Sequence, residues 1–130
     1  MAEMSNYLEN ALLNATLNAT TYTAPATVYV SLWTSDPTDA GSGTEVSGGS
    51  YARTAVSFAT ASGTSGNVLN DADVTFPTAT ASWGTVGWIG INDAATAGNL
   101  LYHTALDTSK TIDSGDIFKI STGNLSVTLA

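Results

Sequence analysis

The sequence predicts an all-β fold: an antiparallel β-sandwich of jelly-roll-like form, with roughly seven to eight short strands and one N-terminal helix. Three observations carry this reading. After Thr20, β-branched and aromatic residues cluster in short runs with a turn signal about every ten residues, the spacing of antiparallel sandwiches and small barrels. No βαβ alternation and no internal repeat breaks the pattern. Helical periodicity is confined to one stretch near the N-terminus. The 130 residues make one domain, read as an N-terminal arm and helix over 1–20 and a β-sandwich over 21–130.

In chain order, the helix comes first, from Ser5 to about Leu17. Asn6 is placed to cap it, with Glu9 three residues on as in a capping box. Leu8, Ala11, Leu12 and Ala15 share one face, and Leu13 and Leu17 lie on a neighbouring one. Such a short helix needs packing partners to be stable. The first strand is Thr27–Thr34, with Val28, Val30 and Leu32 facing the core and Tyr29, Ser31 and Trp33 on an unusually apolar second face, which something is expected to cover. Thr54, Val56 and Phe58 alternate in the next. The segment 59–70 is small and polar, and reads as a loop. Val74 and Phe76 form a short strand stopped by Pro77. Val86–Ile91 is apolar on both faces, and Gly84, Gly87 and Gly90, just before and within it, point to twist, a bulge or a close backbone approach. Leu100–Leu106 alternates again. Ile117–Ile120 and Leu125–Leu129 close the chain, joined by the turn Ser121–Asn124.

Charge excludes several functions. Eleven acidic residues stand against three basic ones, Arg53, Lys110 and Lys119, for a net charge of −8. Nucleic-acid binding needs several cations to neutralise phosphates, and docking on an anionic membrane needs a basic patch, so neither partner is expected. Cysteine is absent, which removes disulfides and thiolate metal sites. No apolar run approaches the ~20 residues of a membrane helix, and the start MAEMSNYLEN is not a signal peptide. Asn-X-Ser/Thr triplets at Asn14, Asn18 and Asn124 are expected by chance in a chain so rich in these residues.

The stretch SDPTDAGSGTEVSGGSYAR (35–53) gathers Asp36, Asp39, Glu45 and Arg53 among glycines. It fails as an EF-hand loop: Asp36 and Asp39 are three apart rather than two, and Ser47 occupies the twelfth position where a bidentate Glu is required. The acids read as turn-formers instead, with Asp-Pro starting a turn and the glycines allowing positive φ. No metal site and no cofactor are expected. The only histidine, His103, lies on a strand with no nucleophile elbow in the chain, so no catalytic residues are assigned. Arg53 is expected to pin the 36–45 loop through Asp36, Asp39 or Glu45, its planar fork suiting a carboxylate. Trp33, Trp83 and Trp88, with the tyrosines, are read either as packing and contact residues or as a surface for stacking sugars.

The runs MSNYLENALLNATL, ATVYVSLWTSDPTDAGSGTEVSGGSYAR and FPTATASWGTVGWIGINDAATAGNLLYHTAL closely resemble a family of small tailed-phage virion proteins, often labelled tail fibre proteins. The similarity runs from Met4 almost to Ala130, which implies that Met1–Glu3 is an extension or reflects an upstream start codon. The 35–53 loop and DAATAGNLLYH carry most of its specificity. The resemblance implies a non-enzymatic virion structural protein. A chain this compact, without a repetitive shaft, resembles a capsid decoration or cement protein on the capsid exterior, bridging the major capsid protein or other virion proteins, itself a homo-oligomer with a trimer favoured. The alternative is a tail or fibre component involved in host attachment. Tyr7, Leu8 and Leu12 of the helix and Trp33, Trp83 and Trp88, taken as exposed, are the contact candidates.

Overall fold

The computed structural model describes residues 2–129. The elements follow in the order β1 (Glu3–Met4), α1 (Asn6–Leu17), β2 (Val28–Trp33), β3 (Thr54–Val56), β4 (Asn67–Leu69), β5 (Val74–Thr75), β6 (Gly84–Asn92), β7 (Leu100–Ile112), β8 (Lys119–Ile120) and β9 (Ser126–Thr128). Five strands form an antiparallel sheet in the order β1-β7-β6-β2-β3. The pairs β4–β9 and β5–β8 make two short antiparallel ribbons. The ribbons and their flanking loops pack on one face of the sheet. Val30, Leu32, Val56, Val86, Ile89 and Ile91 meet Val74, Phe76, Phe118, Leu125 and Val127 in a single apolar cluster. The chain is thus all-β and sandwich-like, with one broad layer and one divided layer.

Each apolar run read from the sequence becomes a strand, and two further strands appear. The segment 59–70 holds β4, only three residues long and invisible as a pattern because just Val68 and Leu69 are apolar. Glu3, read as part of an N-terminal extension, pairs opposite His103 in β1. Met1 lies outside the described residues. β7 runs past the expected end at Leu106 to Ile112, since its polar second half shows no alternation yet pairs with Gly84–Val86.

The turn at Ser121–Asn124 forms, with Asn124 N donating to Ser121 O at 3.0 Å, but it does not join a hairpin. β8 and β9 belong to different ribbons. Asn70, a buried side chain, organises the segment between them. Its Nδ2 donates to Ala72 O and Ser121 O, and its Oδ1 accepts from Leu125 N. These bonds satisfy the buried amide and fix the 121–125 turn against Asn70.

The register of β6 shifts between Val86 and Trp88. That irregularity changes which face the following residues occupy. Val86, Ile89 and Ile91 therefore all reach the core, although the first two are an odd number of residues apart. Gly90 fits the expected close approach. A Cβ there would lie 2.7 Å from Leu100 Cδ1, 2.7 Å from Ser31 Oγ and 2.9 Å from Trp33 Nε1.

The helix is capped by Ser5 rather than Asn6. Ser5 has extended backbone and its Oγ accepts from Leu8 N at 3.2 Å. Asn6 is instead the first helical residue, so Glu9 stands one position too late for a capping box. Ser5 is buried, donating Oγ–H to Leu100 O and its N–H to Leu101 O at 2.8 Å. Those carbonyls belong to a second register shift, between Ile91 and Asn92. The helix start is therefore bolted to β7. Leu8 is buried, Ala11, Leu12 and Ala15 are half-buried, and Leu13 and Leu17 are 54% and 74% exposed.

Candidate binding site

The sheet face opposite the core is covered near α1 by two loops, residues 34–45 and 93–99. The first is shaped by its own polar groups. Asp36 Oδ1 accepts from Thr38 N at 2.9 Å, Pro37 O accepts from Ser42 N at 2.7 Å, and Ser35 Oγ accepts from Thr44 N at 2.8 Å. Asp36 thus makes the turn expected of an Asp-Pro pair. Asn6 N donates to Asp39 O at 2.9 Å, joining the loop to the start of the helix. In the second loop, the Asp93 carboxylate accepts from Asn99 N at 2.7 Å and Asn99 Nδ2 at 3.0 Å. Gly98 closes that turn at φ +68, and a Cβ there would lie 2.5 Å from Asp93 Oδ1; only glycine meets both demands.

Arg53 lies between the loops. Its Nε and Nη2 donate to Glu45 Oε2 and Oε1 at 2.9 and 2.8 Å. Its Nη1 donates to Ala94 O at 3.0 Å and Ala97 O at 2.8 Å. Of the three acids considered for it, Glu45 is the partner; Asp36 and Asp39 face elsewhere. Tyr51 completes the group, donating to Glu45 Oε2 at 2.7 Å and accepting from Leu32 N at 3.0 Å. Burial pushes the Glu45 carboxyl up, but the hydrogen bonds from Arg53 and Tyr51 and the Arg53 charge together outweigh it and hold the group below the usual carboxylate range. Burial, and then the bond to Glu45, hold the Tyr51 phenol well above its ordinary value.

Beneath the loops a polar chain crosses the sheet. Trp33 Nε1 donates to Ser31 Oγ at 2.8 Å, and Ser31 Oγ–H donates to Asn92 Oδ1 at 2.7 Å. A cavity of about 330 Å³ opens above this floor, lined by Tyr7, Trp33, Arg53, Asn92, Asn99 and Leu100 among others. At its edge His103, buried on β7, places Nε2 2.8 Å from Asp39 Oδ1.

Several contact candidates take different places from those expected. Trp33 and Trp83 are not exposed. Trp33 is buried because the two loops roof the second face of β2. Trp83 is buried against Tyr51, edge to face at 5.4 Å, and its Nε1 donates to Gly49 O at 2.9 Å. Leu8 is buried as the helix's own anchor. Trp88 is half-buried, opposite Trp33 across β2 and β6, and Leu12 is half-buried. Tyr7 is 43% exposed at the mouth of the cavity. With Trp33 and Trp83 inside, these aromatics do not line up as a flat platform for a sugar.

Tyr51, Asn92, Asn99 and the His103–Asp39 pair escaped assignment from the sequence. A signal existed. The two segments that carry most of the resemblance, 35–53 and 93–103, are the two that this face brings together.

The fold and this face define a small all-β domain that presents a surface built from two fixed loops beside an anchored helix. The chain belongs to the podophage GP4 fiber I protein gp80 family, whose family model matches residues 3–128. It is a bacteriophage virion structural protein. No curated protein matches the chain.

Proposed function

We propose that the chain is a fibre subunit of a short-tailed phage, acting by binding and assembly rather than by chemistry. The observation that carries this is the family itself: a fibre-protein model matches residues 3–128, nearly the whole chain, so the description applies to this domain and not to an appended one. The two-loop face is consistent with it. Its polar groups are held by one another and by the main chain, as a surface that keeps a fixed shape requires. The same chain associates with copies of itself, a trimer being the favoured assembly. Contacts run through the exposed side of α1, where Tyr7, Leu13 and Leu17 leave apolar surface open in a helix only twelve residues long.

Cryo-microscopy of particles carrying a tag on this chain tests the location. Density at the tail agrees with a fibre subunit. Density on the head shell supports instead the capsid decoration reading, which rests on the compactness of the chain and has no counterpart in the family description. Light scattering after gel filtration tests the association. Leu13→Asp with Leu17→Asp, both at exposed positions, leaves the fold intact and converts the oligomer to monomer; an unchanged mass rules out this helix face.

A further inference from the structure

A second group of side chains meets at the edge of this face. β1 and β7 place Glu3 directly opposite His103, and cross-strand neighbours project to the same side of a sheet. The 34–45 loop brings Asp39 in from another direction, with its carbonyl held by Asn6 N. One ligand atom from each of Glu3, Asp39 and His103 lies within 4.8 Å of the others. His103 Nε2 is 2.8 Å from Asp39 Oδ1 and 3.9 Å from Glu3 Oε2.

The geometry suits a metal ion. Bonds of about 2.1 Å in tetrahedral or octahedral sites put neighbouring N and O ligand atoms about 3.0–3.4 Å apart. One observed separation is slightly shorter and the other about half an ångström longer. The side chains of Glu3 and Asp39 are 72% and 46% exposed, so their carboxylates can rotate to meet the ion without moving the sheet. The imidazole is fixed, its side chain only 6% exposed. On its far side Nδ1 faces Asp36 Oδ1 at 4.0 Å. With an ion on Nε2 the ring carries its proton on Nδ1, the side of that carboxylate. No lysine or arginine among the described residues is paired with these acids: Arg53 is taken by Glu45, Lys119 by Asp73, and Lys110 stands opposite Val86.

We propose that Glu3, Asp39 and His103 bind one divalent transition cation of the zinc class, in preference to calcium or magnesium. An imidazole nitrogen beside two carboxylates is the donor set of borderline cations, whereas calcium and magnesium take oxygen ligands. Water fills the remaining positions. The ion cross-links β1, β7 and the 34–45 loop and so fixes the N-terminal strand to the loop-built face. This holds whether or not the chain is a fibre subunit.

The rival is a plain His103–Asp39 hydrogen bond with no ion. Tag-free full-length protein, stripped with chelator, is titrated with zinc chloride and with calcium chloride by calorimetry, and melted in each. Zinc is expected to bind once per chain and to raise Tm by several degrees, with calcium doing neither. Because His103 is the only histidine in the chain, its ring NMR signals report the ligation directly. Glu3→Gln and Asp39→Asn each weaken zinc binding at least tenfold. The Glu3→Gln protein, altered at an exposed position, keeps the wild-type Tm in chelator, which separates lost binding from lost folding. No saturable zinc binding, or wild-type zinc affinity in both variants, overturns the site.

Discussion

Arg53 and Glu45 meet fork to fork, at 2.8 and 2.9 Å, and the remaining donors of the same guanidinium reach the carbonyls of Ala94 and Ala97 on another loop. One side chain therefore joins residues 41 and 44 positions further along the sequence. Arg53→Met leaves a partly buried carboxylate with Tyr51 in place of three donors and deprives two carbonyls of theirs. Stability to urea is expected to fall by about 2–4 kcal/mol, between the values for exposed and fully buried ion pairs. Amide exchange in 36–45 and 93–99 accelerates more than in β6. Arg53→Lys does not restore protection, since one ammonium cannot span the fork and both carbonyls. Unchanged exchange in both loops would count against the pinning role.

Glu45 gives the protein an acid-sensitive component. Its folded pKa is lowered, so its contribution is complete above the ordinary glutamate value of about 4.3 and is lost as pH falls through the lower folded value. Asp73, held down chiefly by hydrogen bonds from Thr122 and then by Lys119, acts in the same direction. Comparison with Glu45→Gln isolates the Glu45 part. Wild type is expected to lose more stability than the variant between about pH 5 and pH 3. Parallel curves in urea titrations would contradict this.

Ser5 caps α1 and also donates to β7. Ser5→Ala removes both bonds from a buried position and is expected to cost about 1–2 kcal/mol. Ser5→Asp, a good cap elsewhere, sets an acceptor against Leu100 O and destabilises further. If Ser5→Asp equals wild type in thermal melts, capping alone accounts for the residue.

Gly90 leaves room for Leu100, Ser31 and Trp33. Gly90→Ala forces those side chains apart, at a cost of about 1–3 kcal/mol, and disturbs the Trp33–Ser31–Asn92 chain. Gly87, with nothing within 4 Å of its would-be Cβ, is the control: Gly87→Ala should leave the urea midpoint much closer to wild type.

How much of this was legible depended on the range of the interaction. The alternation of Val28, Val30 and Leu32 is a local signal, and it located β2 and its core face directly. The tight spacing of glycines in 84–90 likewise announced the irregular register of β6. Asn70 carried no such signal, because the partners that matter for the fold lie at Ser121 and Leu125 and nothing near Asn70 in the chain points to them. His103 and Asp39 are 64 positions apart. Trp33 and Trp83 were misplaced for the same reason. The apolar second strand face called for a cover, but the loops that supply it are polar and irregular and give no local sign of doing so. Arg53 was the exception: a rare cation among many acids, its pairing could be expected, though not which acid.

The grip of Arg53 on the 93–99 loop is through carbonyl oxygens, which every residue type possesses. The residues at the crest, Ala95 and Thr96, can change without altering what holds the loop in place. Shape and surface chemistry are thereby uncoupled. Sequence variation at the crest would present new side chains on an unchanged frame.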